Sequence, residues 1–536
     1  AVLSAFIVPP AVCRTLPSSV RHTNRGVSYR VGLCRVLGDP APWLYERLRL
    51  MLPVGGEVQS RAHLAQCADS GIERRAVRAV RGSLRESSRR LAVVVVLGAL
   101  SVLPAVADVR AAKPGELLYA KRIGSRQASA LGCAVAGGPG GATAVAGTQA
   151  LRGAGRPMVA KYSNTGKRVW RRRYARVAEG EVADVAFDRT GDIYAAASFR
   201  ARSGRRGILI LKYGPRGGLR WARSHRAAFA QTYEAAKLVV DRRGGVIVLG
   251  TSRGGWDGPS GVVVLKYRKN GERTWGPVRC DLDPGCNRSS ADLALAVDRV
   301  GDIYVAGSAW AAGRENAVIL KIGGADGMEQ IRRLYEPRNG DSSSFHRLTV
   351  HGSGLAATGS VWTEDSAIRE GGLIVKFDLD LQEECRREWG AGNATEEAVT
   401  GLVVDRGGDV FVTGARWRAE GPGRVVIMRL SGGLSKVLWK RIYRPARGGA
   451  GGWHLVRDRS GDLWVGGLAS GAGAPDRFIV LKYSPSGALR WVRTWSGGGD
   501  VYPVGLLVGA RGGVYIGGSG EDARGVPRAV LLKYRR

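Results

Sequence analysis

From near Gly115 to the C-terminus, short apolar runs alternate with Gly- and Asp-rich turns, and no stretch keeps the 3.6-residue spacing of an amphipathic helix. One unit shows the grammar. Val182 to Phe187 reads as a first strand, Asp188-Arg189-Thr190-Gly191-Asp192 as a tight turn, and Ile193 to Phe199 as a second strand. Gly207 to Tyr213 is a third strand, Gly214-Pro215-Arg216-Gly217-Gly218 a turn, and Leu219 to Arg223 a fourth. A Lys-Tyr-like pair closes the third strand at Lys161, Lys212, Lys266, Lys321, Lys376, Arg429, Lys482 and Lys533, with successive gaps of 51, 54, 55, 55, 53, 53 and 51 residues. A period held that narrowly marks a repeat architecture.

The first turn recurs from Asp241, Asp298, Asp405 and Asp458. Its glycines suit positive φ, and the leading Asp is expected to accept turn amides rather than to ligate metal. The fourth strand carries a large residue at a steady distance from the preceding Gly: Trp170, Trp221, Trp275, Trp439 and Trp491, with Tyr119, Ile331 and Cys385 in the equivalent places. Large side chains at one repeated position are expected to fill the seams between units, and exposed sugar-stacking platforms are the alternative. Four antiparallel strands repeated about eight times predict an all-β, eight-bladed β-propeller. The last unit ends after three strands at Lys533-Tyr534-Arg535-Arg536, while Glu116 to Ile123 reads as a lone fourth strand. Pairing the two would complete the eighth blade and remove the open edges.

These units resemble the bacterial β-propeller repeat of the SBBP family, whose pattern is Val-Asp-x-x-Gly-Asn/Asp-Val-Tyr-Val-Thr-Gly-Ser, a Lys-Tyr strand, then Gly-x-x-x-Trp. Val297 to Ser308, Asp188 to Ser198 and Val404 to Gly414 carry the likeness most closely. The first unit departs from it at Gly138-Pro139-Gly140-Gly141-Ala142, and the fifth shortens its turn to His351-Gly352-Ser353-Gly354. The resemblance implies an extracellular or surface-associated interaction module. The Gly-x-x-x-Trp element is also similar to the docking motif of eight-bladed quinoprotein dehydrogenases, but the vicinal cysteines which that likeness would require are missing from this sequence.

Ser88-Arg89-Arg90, the apolar run Leu91 to Val106 and Ala105-Val106-Ala107 together have the form of a signal peptide, here residues 86–107, with cleavage expected after Ala107. An uncleaved anchor is the alternative. Residues 1–85 show no sustained periodicity and receive no function, and 108–536 form the expected propeller. The expected location is secreted, periplasmic or cell-surface. A net charge of +36 raises a polyanion as partner. Arg is spread from end to end, however, without a concentrated basic helix or tail, so no specific nucleic-acid partner is expected.

Candidate chemistry is sparse. Among six His, none has metal-ligand spacing, and no nucleophile elbow or phosphate-cradling loop occurs. His346, Trp453 and His454 fall near the starts of first strands, as do Glu181, Asp184, Glu234, Asp292 and Glu397, where side chains are expected to form a polar ring at the channel mouth. Cys280 and Cys286 bracket a short loop and are a candidate disulfide in an oxidising compartment. Cys133 and Cys385 read as buried thiols. The expectation is a monomeric, exported, non-enzymatic binding scaffold without a cofactor, whose loops and channel mouth engage an unknown protein or glycan ligand. The alternative is a hydrolase or lyase acting on a saccharide or peptide at that mouth, with His346 and His454 as its material.

Overall fold

A computed structural model describes residues 23–24, 27–28 and 114–536, apart from 125–128, 152, 228–231, 255–260, 282–292, 312, 339–341, 364–368, 390–394, 419–420, 472 and 510. Residues 114–536 form eight four-stranded antiparallel sheets, and in seven of them the strands follow one another in chain order. The first to the seventh blades span Ser129–Arg173, Glu179–Arg226, Thr232–Asp281, Ala294–Tyr335, Ser342–Trp389, Thr395–Tyr443 and Gly449–Trp495. The eighth joins both ends of this region. Val501–Val508, Gly513–Glu521 and Pro527–Arg535 supply three strands, and Leu117–Ile123 pairs along the last of these with Tyr119 opposite Lys533. The first strand of every blade contacts the first strands of both neighbouring blades, from the first blade round to the eighth and back. The sheets therefore form a closed ring about a central channel, and closure covers the faces that the two end sheets of an open array would expose, leaving each blade only its short outer edge.

The repeated residues are the parts of the joints. In the second blade the Asp188 Oδ1 accepts from the amides of Thr190 and Asp192, each at 2.9 Å, which shapes the turn. Asp192, at the end of that turn, holds Lys212 at 3.1 Å, in a pair whose side chains are only 6% and 3% exposed. The Lys212 ammonium also donates to the Lys269 carbonyl of the third blade at 3.0 Å, and the Trp221 indole donates to the same oxygen at 3.1 Å. One carbonyl of the neighbouring turn is thus clamped from two strands. The clamp recurs at Pro215 O, held by Lys161 and Trp170, and at Gly324 O, held by Lys266 and Trp275. The indole lies flat over the turn glycine. Gly217, at φ +83°, would place a Cβ 2.7 Å from the Trp170 ring, so both the left-handed backbone and the missing side chain are needed there.

Trp170 and Trp221 are 5% and 8% exposed, which makes them seam fillers and leaves no ring face for a sugar. Two residues beyond the aromatic position, an Arg often reaches the same neighbouring turn: Arg172 to Gly217 O, Arg223 to Gly271 O, Arg387 to Leu434 O, Arg441 to Gly487 O and Arg493 to Gly115 O. Part of the basic charge is therefore bound into the ring. At the closing seam the Lys533 ammonium donates to Asn164 O at 2.6 Å and Tyr119 takes the aromatic place, lying against Gly166.

Candidate ligand-binding channel

Every inner strand whose start is described carries a β-bulge at one level of the ring. The register slips at Cys133, Ala183, Ala236, His346, Thr400, Trp453 and Val504, one residue in each of seven blades. A bulge adds an unpaired residue, bends the strand and re-aims the side chains around it. The cause lies on the second strand. Opposite the bend sits Gly147, Gly250, Gly359, Gly414, Gly467 or Gly518, and a Cβ there would meet the carbonyl of the residue two before the bulge at 1.7 to 2.3 Å. The Gly of the Thr-Gly-Ser element thus makes room for the inner strand to fold over it. Blade two accommodates Ala197 at the corresponding place.

Counting from the bulge sorts the candidate residues. Glu181 and Glu234 both stand two residues before it, on adjacent blades, and Glu234 faces Arg253 at 4.0 Å. Enclosure by the channel wall raises the proton affinity of Glu181, and the neighbouring Glu234 adds to the effect. Glu397 stands three before the bulge, on the opposite parity, and its side chain is buried in the seam between blades five and six. There it accepts from the Trp389 indole at 2.8 Å and from the Lys440 ammonium at 2.7 and 2.8 Å. Its place is architectural, one residue from the face that Glu181 and Glu234 share. Asp292 lies outside the described residues, as does Cys286, the expected partner of the buried Cys280. The signal segment lies outside them too.

His346 and Trp453 are themselves bulge residues, both half-buried. The His346 Nε2 lies 3.2 Å from Ser344 Oγ and 3.3 Å from Ser360 Oγ, and Ser360 donates to Glu370 Oε1 at 2.5 Å. A hydrolytic triad needs histidine between serine and acid. Here Ser360 lies between histidine and acid, and Ser344 and Ser360 are 1% and 2% exposed, so neither hydroxyl is presented to a substrate. Cys133 is also a bulge residue; burial, with a contribution from Glu181, pushes its thiol up to about 12, far from a reactive thiolate. Cys385, in an aromatic position, is half-buried, and burial again raises its proton affinity.

The residue immediately after the bulge defines a deeper layer. Around the ring it reads Ala134, Asp184, Lys237, Arg347, Gly401, His454 and Gly505, with Ala294 at the equivalent pairing position of the fourth blade, where the described strand shows no bulge. Four blades present titratable side chains and four present almost nothing. Asp184 is tied down: its oxygens accept from Val185 N at 2.8 Å and from Leu238 N of the next blade at 2.9 Å, and burial raises its proton affinity against the pull of Lys237. His454 is pushed down to about 3, first by burial and then by the charges of Arg347 and Lys237. Those residues stand at the same register two and four blades away. Sequence reading singled out Asp184 and His454 but missed Lys237 and Arg347. The recurring Gly of the second strand was the available signal, because it marks the bulge from which the layer is counted.

No family model matches this chain, and no curated protein matches it. Solved structures do resemble it in fold. Sqt1 from Chaetomium thermophilum is 11% identical with a TM-score of 0.47, over 79% of this chain and 99% of that one. A puromycin hydrolase is 12% identical with a TM-score of 0.40, over 73% of this chain and 58% of that one. A protein of unknown function from Dyadobacter fermentans is 14% identical with a TM-score of 0.35, over 57% and 95%. The propeller architecture of this chain rests on its own strand pairing and ring closure.

Proposed function

We propose that this chain is an exported, non-catalytic binding propeller of the SBBP type that takes its ligand at the channel and its mouth. The observation that carries the reading is the layer after the bulge. At most seams the repeat places matching residues in matching joints, whereas the position after the bulge holds Asp184, Lys237, Arg347 and His454 in four blades and Ala or Gly in the others. Clefts with a few convergent polar groups on a rigid frame are where ligands bind. The buried Ser344 and Ser360 support binding without turnover. Export rests on the Arg89-Arg90 pair, the apolar run to Val106 and the Ala105-Val106-Ala107 element.

Two measurements test this. Full-length protein applied to peptide and glycan arrays should be captured by a discrete ligand set, and Arg347→Gln should lose that capture while Arg171→Gln on an outer strand keeps it. Equal capture by both variants would move the binding surface off the channel. Expression in a bacterial host followed by N-terminal sequencing should return Asp108 from the exported fraction, and retention of the uncleaved chain in the cytoplasm would refute export.

A further inference from the structure

We propose that the propeller docks one end of its ring on an anionic lipid bilayer, through exposed arginines at the tips of the first turns and the apolar side chains around them. This goes beyond the channel reading and does not rest on it.

The two ends of the ring are built differently. Antiparallel strands bring the turn between strands one and two and the turn between strands three and four to the same end of a blade, where Gly324 N donates to Asp302 Oδ1 at 3.0 Å. From this end a side chain of each blade reaches the segment just before the fourth strand of the next, all the way round. All eight blades therefore share one turn end. The loops from strand two to three and from blade to blade make up the opposite, loop end.

Charge is sorted at the turn end. All five Asp turns continue with Arg, at Arg189, Arg242, Arg299, Arg406 and Arg459, and the eighth blade offers Arg511 one place further on. Lys and Arg are 82 of the 536 residues, too few for five in five to be composition alone. The six side chains are exposed, and none has a hydrogen bond or ion pair among the described residues. The aspartates of the same turns do not answer them. Each leading Asp accepts amides of its own turn, while Asp192, Asp302, Asp409 and Asp462 hold Lys212, Lys321, Arg429 and Lys482. Acid is thus turned inward and guanidinium outward. At the loop end the opposite charges meet each other, as in Arg200 with Glu179 at 2.6 Å and Arg528 with Asp522 at 2.8 Å.

Apolar surface is sorted the same way. Among the described residues twelve large apolar side chains are exposed, and only Trp310, Leu334 and Tyr502 of these stand at the loop end. The other nine are at the turn end. Val300, beside Arg299, is 83% exposed, and Met328, in the second turn of the same blade, is 65% exposed. The remaining seven open the fourth strands of blades one, two, six, seven and eight, as Leu219 and Leu489 do. Equivalent positions of a closed ring lie at one height, so the cations describe a plane with aliphatic side chains about it. A plane of that composition fits a bilayer interface, where cations meet anionic headgroups and aliphatic groups enter the acyl boundary. A nucleic-acid strand would call for aromatic stacking platforms, and the repeated tryptophans are spent in the seams. Docking by the turn end leaves the starts of the first strands, at the loop end, open to a ligand.

Sedimentation of full-length protein with vesicles tests this. Vesicles of phosphatidylcholine and phosphatidylglycerol should bind about a hundredfold tighter than phosphatidylcholine alone, and high salt should abolish the difference. The apolar run Leu91 to Val106 reads no lipid charge, so this ratio isolates the ring. Arg189→Gln, Arg242→Gln, Arg406→Gln and Arg459→Gln together should remove the preference, with the thermal unfolding midpoint unmoved. The same exchange of the exposed loop-end Arg176, Arg202, Arg205 and Arg524 removes equal charge and should change it by less than about threefold. Val300→Ser with Met328→Ser should weaken vesicle binding about tenfold and leave heparin capture alone. No preference for anionic vesicles, or equal loss in the two fourfold variants, would overturn the proposal. Vesicle binding indifferent to Val300 and Met328 would mean that charge alone is read, as for a soluble polyanion, and would overturn the bilayer. Array capture through Arg347 is a separate measurement, so either reading can fall alone.

Discussion

The seams between blades and the layer inside the channel are built from the same repeat, yet they obey opposite rules. At the seams, Lys212 and Trp221 do for blades two and three what Lys161 and Trp170 do for blades one and two, down to the shared carbonyl. In the channel, equivalent positions hold Asp184, Lys237, Arg347 and His454 against Ala134, Ala294, Gly401 and Gly505. A joint must be repeated because each blade has to fit the next. A ligand in the channel, as proposed, would meet several blades at once, so the residues that touch it would gain nothing from being alike. In this molecule repetition marks architecture, and the proposed ligand site is placed where repetition fails along the channel.

The largest expected effect comes from opening the ring. A chain beginning at Ser129 lacks Leu117–Ile123 and exposes the edge of Pro527–Arg535; it should lose more than about 5 kcal/mol, much of the stability typical of a domain, in urea unfolding. A truncated chain unfolding at the original midpoint would show that closure is incidental. Trp221→Ala should cost about 3–5 kcal/mol, by loss of indole packing and of its bond to Lys269 O. Unchanged stability with altered glycan binding would return the tryptophans to a ligand role. Lys212→Met, which strips Asp192 of its buried partner, should cost about 3 kcal/mol in the same measurement.

On the channel side the effects on stability shrink. His454 binds its proton far less readily folded, at about 3, than at its ordinary 6.5, so the unfolded chain takes up more protons between those values. The folded state accordingly loses stability as pH falls from about 6.5 toward 3, by at most about 1.4 kcal/mol per pH unit. His454→Gln should remove that part of the acid slope and change little at pH 8; an unaltered slope would mean that the ring is solvated when folded. Smallest is Arg347→Gln, expected to stay within about 1 kcal/mol of the parent at pH 8, since its hydrogen bond to the His346 carbonyl is a local one and Gln keeps a donor there; a larger loss in urea unfolding would show that its charge holds the ring together.

Much of this was legible because the joints are local in sequence. The Asp turn, the Lys-Tyr pair and the Gly-x-x-x-Trp spacing are each read within one unit, and the lone strand around Tyr119 advertised the missing member of the last blade. Glu397 shows the limit. It resembles Glu181 in type and in nearness to a strand start, but a shift of one residue relative to the bulge turns it into the seam toward Trp389 and Lys440. Lys237 and Arg347 were passed over for the converse reason, since the only mark of their register is the Gly of the following strand, Gly250 and Gly359, which the sequence by itself presents as a turn or strand glycine like many others.

By itself the sequence determined the strand pattern, the number of blades and the device that closes them, because backbone hydrogen bonding and apolar burial repeat with every unit. The tertiary structure alone decided which side chains share one level of the inner strands. Residues separated by more than a hundred positions become neighbours only when the ring closes, and the bulge that aims them is a two-strand property which a linear pattern of polar and apolar letters does not encode.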